Sequence, residues 1–104
     1  MDENLKLIKR VICEVLGERV EKTILFGSRA RGEGSDGSDY DILIILRGEV
    51  SVHEEMKIAK AIRTRLAKLL MPVDVIIASA DEVEYLSNKV GNVIRSAVRE
   101  GVAF

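Results

Sequence analysis

Three aspartates and one glycine–serine pair are the residues of this chain best suited to chemistry. Gly27-Ser28 is followed, after ten residues, by Asp39-Tyr40-Asp41, and a third acid, Asp74, stands in the aliphatic run Val73-Asp74-Val75-Ile76-Ile77. Residues two apart on a strand share a face, so Asp39 and Asp41 are expected side by side, with Tyr40 turned away from them. Two carboxylates so close repel each other unless a cation lies between them or one takes a proton. Oxygen-only ligands of this kind suit magnesium or manganese. An isolated aspartate inside an aliphatic strand is costly to desolvate, so Asp74 is expected to face the same cation cluster. Three strand aspartates can bind paired metals that polarise the attacking and leaving oxygens of a phosphoryl group. The Gly27-Ser28 turn supplies the other half. Glycine lets backbone come close to a ligand, and exposed N–H groups can hold phosphate oxygens. Ser28 adds a hydroxyl and Arg29 and Arg31 add positive charge, with Arg31 the one favoured to clamp a phosphate or an acidic partner.

Familiar glycine-loop motifs do not explain this stretch. Gly32-Glu33-Gly34-Ser35-Asp36-Gly37 matches G-x-G-x-x-G in letters, but a dinucleotide fingerprint needs a helix after it. Here a strand follows, and Glu33 and Asp36 would repel a pyrophosphate. Gly27 to Gly32 has Walker A spacing, yet Glu33-Gly34 stands where Lys-Ser or Lys-Thr is required. A calcium loop from Asp36 to Asp41 lacks its sixth-position glycine and terminal glutamate.

The elements that must position these residues are legible in the hydropathy pattern. Leu5, Ile8, Ile12, Val15 and Leu16 recur at helical spacing, with Gly17 as the stop. Val20 to Phe26 reads as a strand, Gly27 to Ser38 as a polar loop outside the core, and Asp39 to Leu46 as a strand buried on both faces. Ser51-Val52-His53-Glu54 predicts a capping box opening a helix whose buried stripe is Ile58, Ile62, Leu66, Leu69 and Leu70, closed by Pro72. Val73 to Ile77 is a third strand. Ser79 to Glu82 is a second capping box, and after an interruption at Asn88 and Gly91 a last helix carries Val93, Ile94, Ala97 and Val98 to a C-cap at Gly101. Val102 to Phe104 is a short tail. The order α-β-loop-β-α-β-α-α specifies one α/β (α+β) domain over residues 1–104.

Gly-Ser, ten residues, Asp-x-Asp on a strand and a later strand aspartate resemble the nucleotidyltransferases of the DNA polymerase β superfamily. More narrowly, Gly27-Ser28-Arg29-Ala30-Arg31-Gly32 followed by Ser38-Asp39-Tyr40-Asp41-Ile42 is similar to the minimal nucleotidyltransferase (MNT) antitoxins of the HEPN/MNT toxin–antitoxin type. The resemblance implies a polymerase-β-like palm: a small mixed sheet with helices packed on one side. It implies ATP as substrate with Mg²⁺, two ions, held by Asp39, Asp41 and Asp74. Asp74 would also help to deprotonate the attacking hydroxyl, and Gly27, Ser28 and Arg31 would bind the nucleotide. The acceptor it implies is a tyrosine of a HEPN-domain ribonuclease toxin, which AMP transfer silences as pyrophosphate leaves.

Composition agrees with a small folded domain. The chain has 104 residues, 47% hydrophobic and 32% charged, a balance that argues against disorder. Sixteen Lys and Arg against 17 Asp and Glu leave a net charge of −1, and aromatics are only 4%, so direct nucleic-acid binding is not expected. The longest apolar run, Ile42 to Leu46, is too short for a membrane span, and the charged N-terminus has no signal-peptide pattern; the expected location is the cytoplasm. The one cysteine, Cys13, is expected to be inert packing beside the first helix's stripe, and His53 to be exposed. Arg29 and Arg31 have a structural reading as salt bridges to Glu33 or Asp36. Lys57, Lys60, Arg63, Arg65 and Lys68 are expected to form a solvated helix face. A domain so small has no second lobe to cover a base or hold a small acceptor, which favours a protein acceptor. Two alternatives stay open: a non-catalytic nucleotide-binding module that neutralises its partner by occlusion, and the catalytic subunit of a two-chain small-molecule nucleotidyltransferase.

Overall fold

A computed structural model describes residues 2–33 and 39–104. The elements are α1 (Glu3–Leu16), β1 (Val20–Phe26), α2 (Gly27–Ala30), β2 (Tyr40–Leu46), α3 (Val52–Lys68), β3 (Val73–Ser79), α4 (Ala80–Leu86), α5 (Val93–Glu100) and β4 (Val102–Ala103). The sheet order is β3-β2-β1-β4. β1 runs antiparallel to both β2 and β4, whereas β2 and β3 are parallel, joined by the α3 crossover.

β2 is the spine of the core. Ile42, Ile44 and Leu46 face α1 and α3, meeting Ile8, Ile12, Ile62 and Leu66. Leu43 and Ile45 face the other way and pack with Ile24, Ala78, Ile94 and Ala97. The unbroken aliphatic run thus reflects burial on both faces, as expected of a central strand. The one-sided layer holds for the two long helices; the short α4 and α5 cover part of the opposite face through Val83, Leu86, Ile94 and Ala97.

Capping residues set most helix ends. Asp2 accepts from the Leu5 amide at 2.7 Å to start α1, and Gly17 caps its end. Ser79 and Glu82 form the reciprocal capping box of α4. At α3 only half of the expected box is present: Ser51 accepts from the Glu54 amide, but the Glu54 carboxylate pairs with Arg19 at 2.5 Å.

Several expectations need correction. The stripe of α3 stops at Leu66. The helix ends at Lys68, and the chain turns through Leu70 at a φ of 59°, leaving Leu69 and Leu70 exposed. Cys13 is exposed rather than packed. Val93 and Val98 are likewise exposed, while Ile94 and Ala97 are buried. β3 runs two residues further than Ile77, to Ser79. The expected polar loop opens with the single turn of α2; residues 34–38 lie outside the described residues.

The tail is a strand. Val102 and Ala103 pair with Leu25 and Ile24, and the Phe104 carbonyl accepts from Thr23 Oγ1 at 2.5 Å and Lys9 Nζ at 3.0 Å. Gly101 permits this turn by its size. Its backbone is extended, with φ −79° and ψ 169°, but a Cβ would overlap the Ile24 side chain and lie 2.9 Å from the Leu25 carbonyl oxygen.

Candidate active site

The end of β1, the single turn of α2 and the starts of β2 and β3 meet at one end of the sheet. Parallel pairing sets Asp41 of β2 in register with Asp74 of β3. Antiparallel pairing sets Phe26, the last residue of β1, opposite Asp41. Asp41 therefore has a carboxylate neighbour on one side and the Gly27-Ser28 turn on the other. Its alternation with Ile42 places it on the sheet face away from α1 and α3.

Gly27 and Asp41 are fitted to each other. Gly27 has a φ of 75°, a conformation that side chains disfavour. A Cβ at Gly27 would overlap Asp41 Oδ2 and lie 3.0 Å from its Cγ. The glycine of the Gly-Ser pair thus seats the middle aspartate directly against the backbone of the turn.

Electrostatics tie the three acids together. The Asp41 carboxyl is held above its ordinary range, first by burial and then by the negative charges of Asp74 and Asp39; Arg31 opposes the shift. Asp39 precedes the first residue of β2 and is exposed. Asp74 is exposed as well, so the desolvation argument for its placement does not hold; register and not burial brings it beside Asp41. Among the described residues no three carboxylate, imidazole or thiolate groups converge into a ready cation cage. The donor set still fits a hard divalent cation. It is oxygen only, and its mutual repulsion is what such a cation relieves.

The arginines divide. Arg31 Nε donates to Glu33 Oε2 at 3.1 Å, the salt bridge anticipated as the structural alternative. Its charge nonetheless acts on Asp41, so the ion pair and the site influence coexist. The Arg29 guanidinium lies 4.1 Å from the Tyr40 ring centroid. Tyr40 is buried, and its hydroxyl accepts from Asn4 Nδ2 at 3.1 Å. As alternation predicts, Tyr40 faces away from the acids, and it ties α1, α2 and β2 together behind them. Ser28 is half-buried in the first turn of α2. His53 is exposed at the start of α3, as expected.

One titratable pair was not anticipated. Burial and a hydrogen bond to Glu82 push Glu55 of α3 up to about 7, and the same contact lowers Glu82 of α4. The two shifts favour a protonated Glu55 beside an ionised Glu82. Glu55 Oε2 is buried and has no hydrogen-bond partner among the described residues. The two lie 27 positions apart (82 − 55), with no local signal of contact.

Comparison with known proteins bears on family and fold. The family model described as polymerase beta, nucleotidyltransferase matches residues 8–97. A relative from Methanocaldococcus jannaschii, MJ0141, carries the provisional name protein adenylyltransferase. It is 38% identical over 58 residues, which are 56% of this chain and 59% of the relative. The matched span is thus less than two thirds of that relative's length. Among solved structures, one provisionally described as a nucleotidyltransferase from Sulfolobus solfataricus has a TM-score of 0.67 and 30% identity, covering 96% of this chain and 78% of that one. A toxin–antitoxin crystallised with AMP-PNP has a TM-score of 0.60 and covers 98% of this chain and 72% of that one; at 18% identity the likeness is one of fold.

Proposed function

The chain belongs to the polymerase β nucleotidyltransferase family, and we propose that it is an antitoxin that transfers AMP from ATP to a tyrosine of a partner HEPN ribonuclease toxin. The observation that carries this reading is the seat of Asp41: its carboxylate rests on Gly27, with Asp74 in register beside it. That contact joins the phosphate-binding turn to the acids that must act on the same phosphoryl group. The provisional name of the methanogen relative supports a protein acceptor, and the toxin–antitoxin with AMP-PNP supports a toxin partner and an adenine nucleotide.

In this reading the Gly27 and Ser28 backbone and the Ser28 hydroxyl hold the triphosphate, with Arg31 adding positive charge. Asp39, Asp41 and Asp74 would hold Mg²⁺, two ions, which when bound supplies charge neutralisation for the phosphates. Among the described residues the acids do not form a closed cage, which is compatible with a magnesium site completed by substrate phosphate oxygens. Asp74, exposed and beside Asp41, takes the proton of the attacking tyrosine hydroxyl. The phenolic oxygen bonds to the α-phosphorus, the bond to pyrophosphate breaks, and pyrophosphate leaves.

A ribonuclease assay of the partner tests this. An enzyme silences the toxin at substoichiometric amounts and only with ATP. Silencing that is stoichiometric and independent of ATP would replace transfer by occlusion.

A further inference from the structure

We propose that the outer edge of β3 is a docking edge for an extended, acidic segment of a protein partner, which adds to the sheet as a further strand. β3 is the terminal strand and pairs only with β2, so among the described residues no strand pairs with its other edge. An unprotected edge is a template for pairing, and proteins that avoid it place proline, lysine or a bulge there. Val73–Ser79 has none of these, and its one charge is Asp74.

Beside this edge runs a groove of about 530 Å³ between α3 and β3. Its apolar wall includes Val52, 70% exposed, and Met56, 66% exposed, facing the middle of β3. Three of its charged side chains are cationic: Lys57, Lys60 and Arg63. None of the three has an ion-pair partner among the described residues. The one acid of the lining, Glu55, is already engaged with Glu82. Apolar contact plus unmatched positive charge along a free edge is complementary to a strand alternating apolar and acidic side chains.

The same charges select against a second copy of this chain. Edge-to-edge pairing about a two-fold axis would bring both sets of Lys57, Lys60 and Arg63 together. Asp74 is the second residue of this edge strand, so a segment docked along it lies beside the candidate site. The docking is independent of whether transfer occurs.

Fluorescence anisotropy of the full chain with a labelled, acetylated octapeptide alternating glutamate and valine tests the proposal. The glutamate peptide is expected to bind at least tenfold more tightly than its lysine counterpart, and to slow amide exchange within Val73–Ser79. Methylation of alternate backbone nitrogens in the peptide, and the Lys57→Glu/Lys60→Glu/Arg63→Glu variant of the chain, should each weaken binding at least tenfold. Absence of binding, equal affinity for both charges, or full affinity after methylation would overturn it. So would sedimentation showing a dimer that protects β3, which would make the occupant a second copy.

Discussion

Replacing Gly27 by alanine perturbs the joint between turn and acid, and its cost can be separated into two parts. The first is conformational: at a φ of 75° an alanine costs about 1–2 kcal/mol. The second is steric, because the new methyl overlaps Asp41 Oδ2 and lies 3.0 Å from Cγ and 3.3 Å from Cβ of that residue. Overpacking of this kind costs about 1–3 kcal/mol unless the side chain swings aside. Gly32 provides the control, since its φ is also 75° but among the described residues nothing lies within 4 Å of an added Cβ. Gly32→Ala should therefore show the conformational part alone, and Gly27→Ala both. At roughly 4–8 °C per kcal/mol for a domain of this size, the difference is well resolved by thermal denaturation. In an Asp41→Ala background the excess at Gly27 should largely disappear, because the overlapping carboxylate is gone. Equal costs at Gly27 and Gly32, or an excess unchanged without the carboxylate, would refute the claim that the turn is shaped to Asp41.

Other outcomes follow from the same geometry. The raised Asp41 carboxyl stabilises the fold only while protonated, a contribution present below its unfolded pKa and lost as pH rises through the folded one. Asp41→Asn should therefore raise the Tm at pH 7 in chelator while abolishing transfer; a lower Tm would contradict the repulsion. Glu55 contributes in the same sense: its stabilisation is full below about pH 4.5 and is lost as pH rises through about 7. Glu82, lowered, acts oppositely, its contribution present above its unfolded pKa and lost as pH falls through the folded one. The Glu55 contribution should thus decline between about pH 4.5 and 7, and denaturant titrations of Glu55→Gln should show that decline flattened. Tyr40→Phe removes the hydroxyl that accepts from Asn4 and should cost about 0.5–1.5 kcal/mol in chemical denaturation, with transfer retained.

What could be read from sequence followed the range of the interactions involved. α1 and the first two strands are written in local periodicity, and their ends agree with the structure to within a residue or two. The one-turn α2 is polar and glycine-led, so no apolar period marks it. β4 has only two residues and exists through pairing with Ile24 and Leu25, a tertiary event. Leu69 and Leu70 continue the heptad-like spacing of α3, but the helix stops before them and the chain reverses at Leu70. At the site, alternation placed Asp41 opposite in direction to Tyr40, because a period of two is local. The pairing of Asp41 with Asp74 depends on the register of two strands joined through α3, and the Glu55–Glu82 contact on how α4 returns. The Glu55–Glu82 contact leaves no trace in residue types alone, whereas an aspartate inside an aliphatic strand did single out Asp74. Desolvation was the wrong reason for the position of Asp74, which is exposed.

The most direct test of the account is intact mass spectrometry of the partner ribonuclease after incubation with this chain, ATP and Mg²⁺. The account predicts increments of about 329 Da, one AMP each, that vanish with the Asp39→Asn/Asp41→Asn variant. An unmodified partner in a stable complex with the chain, or increments that persist in that variant, would contradict it.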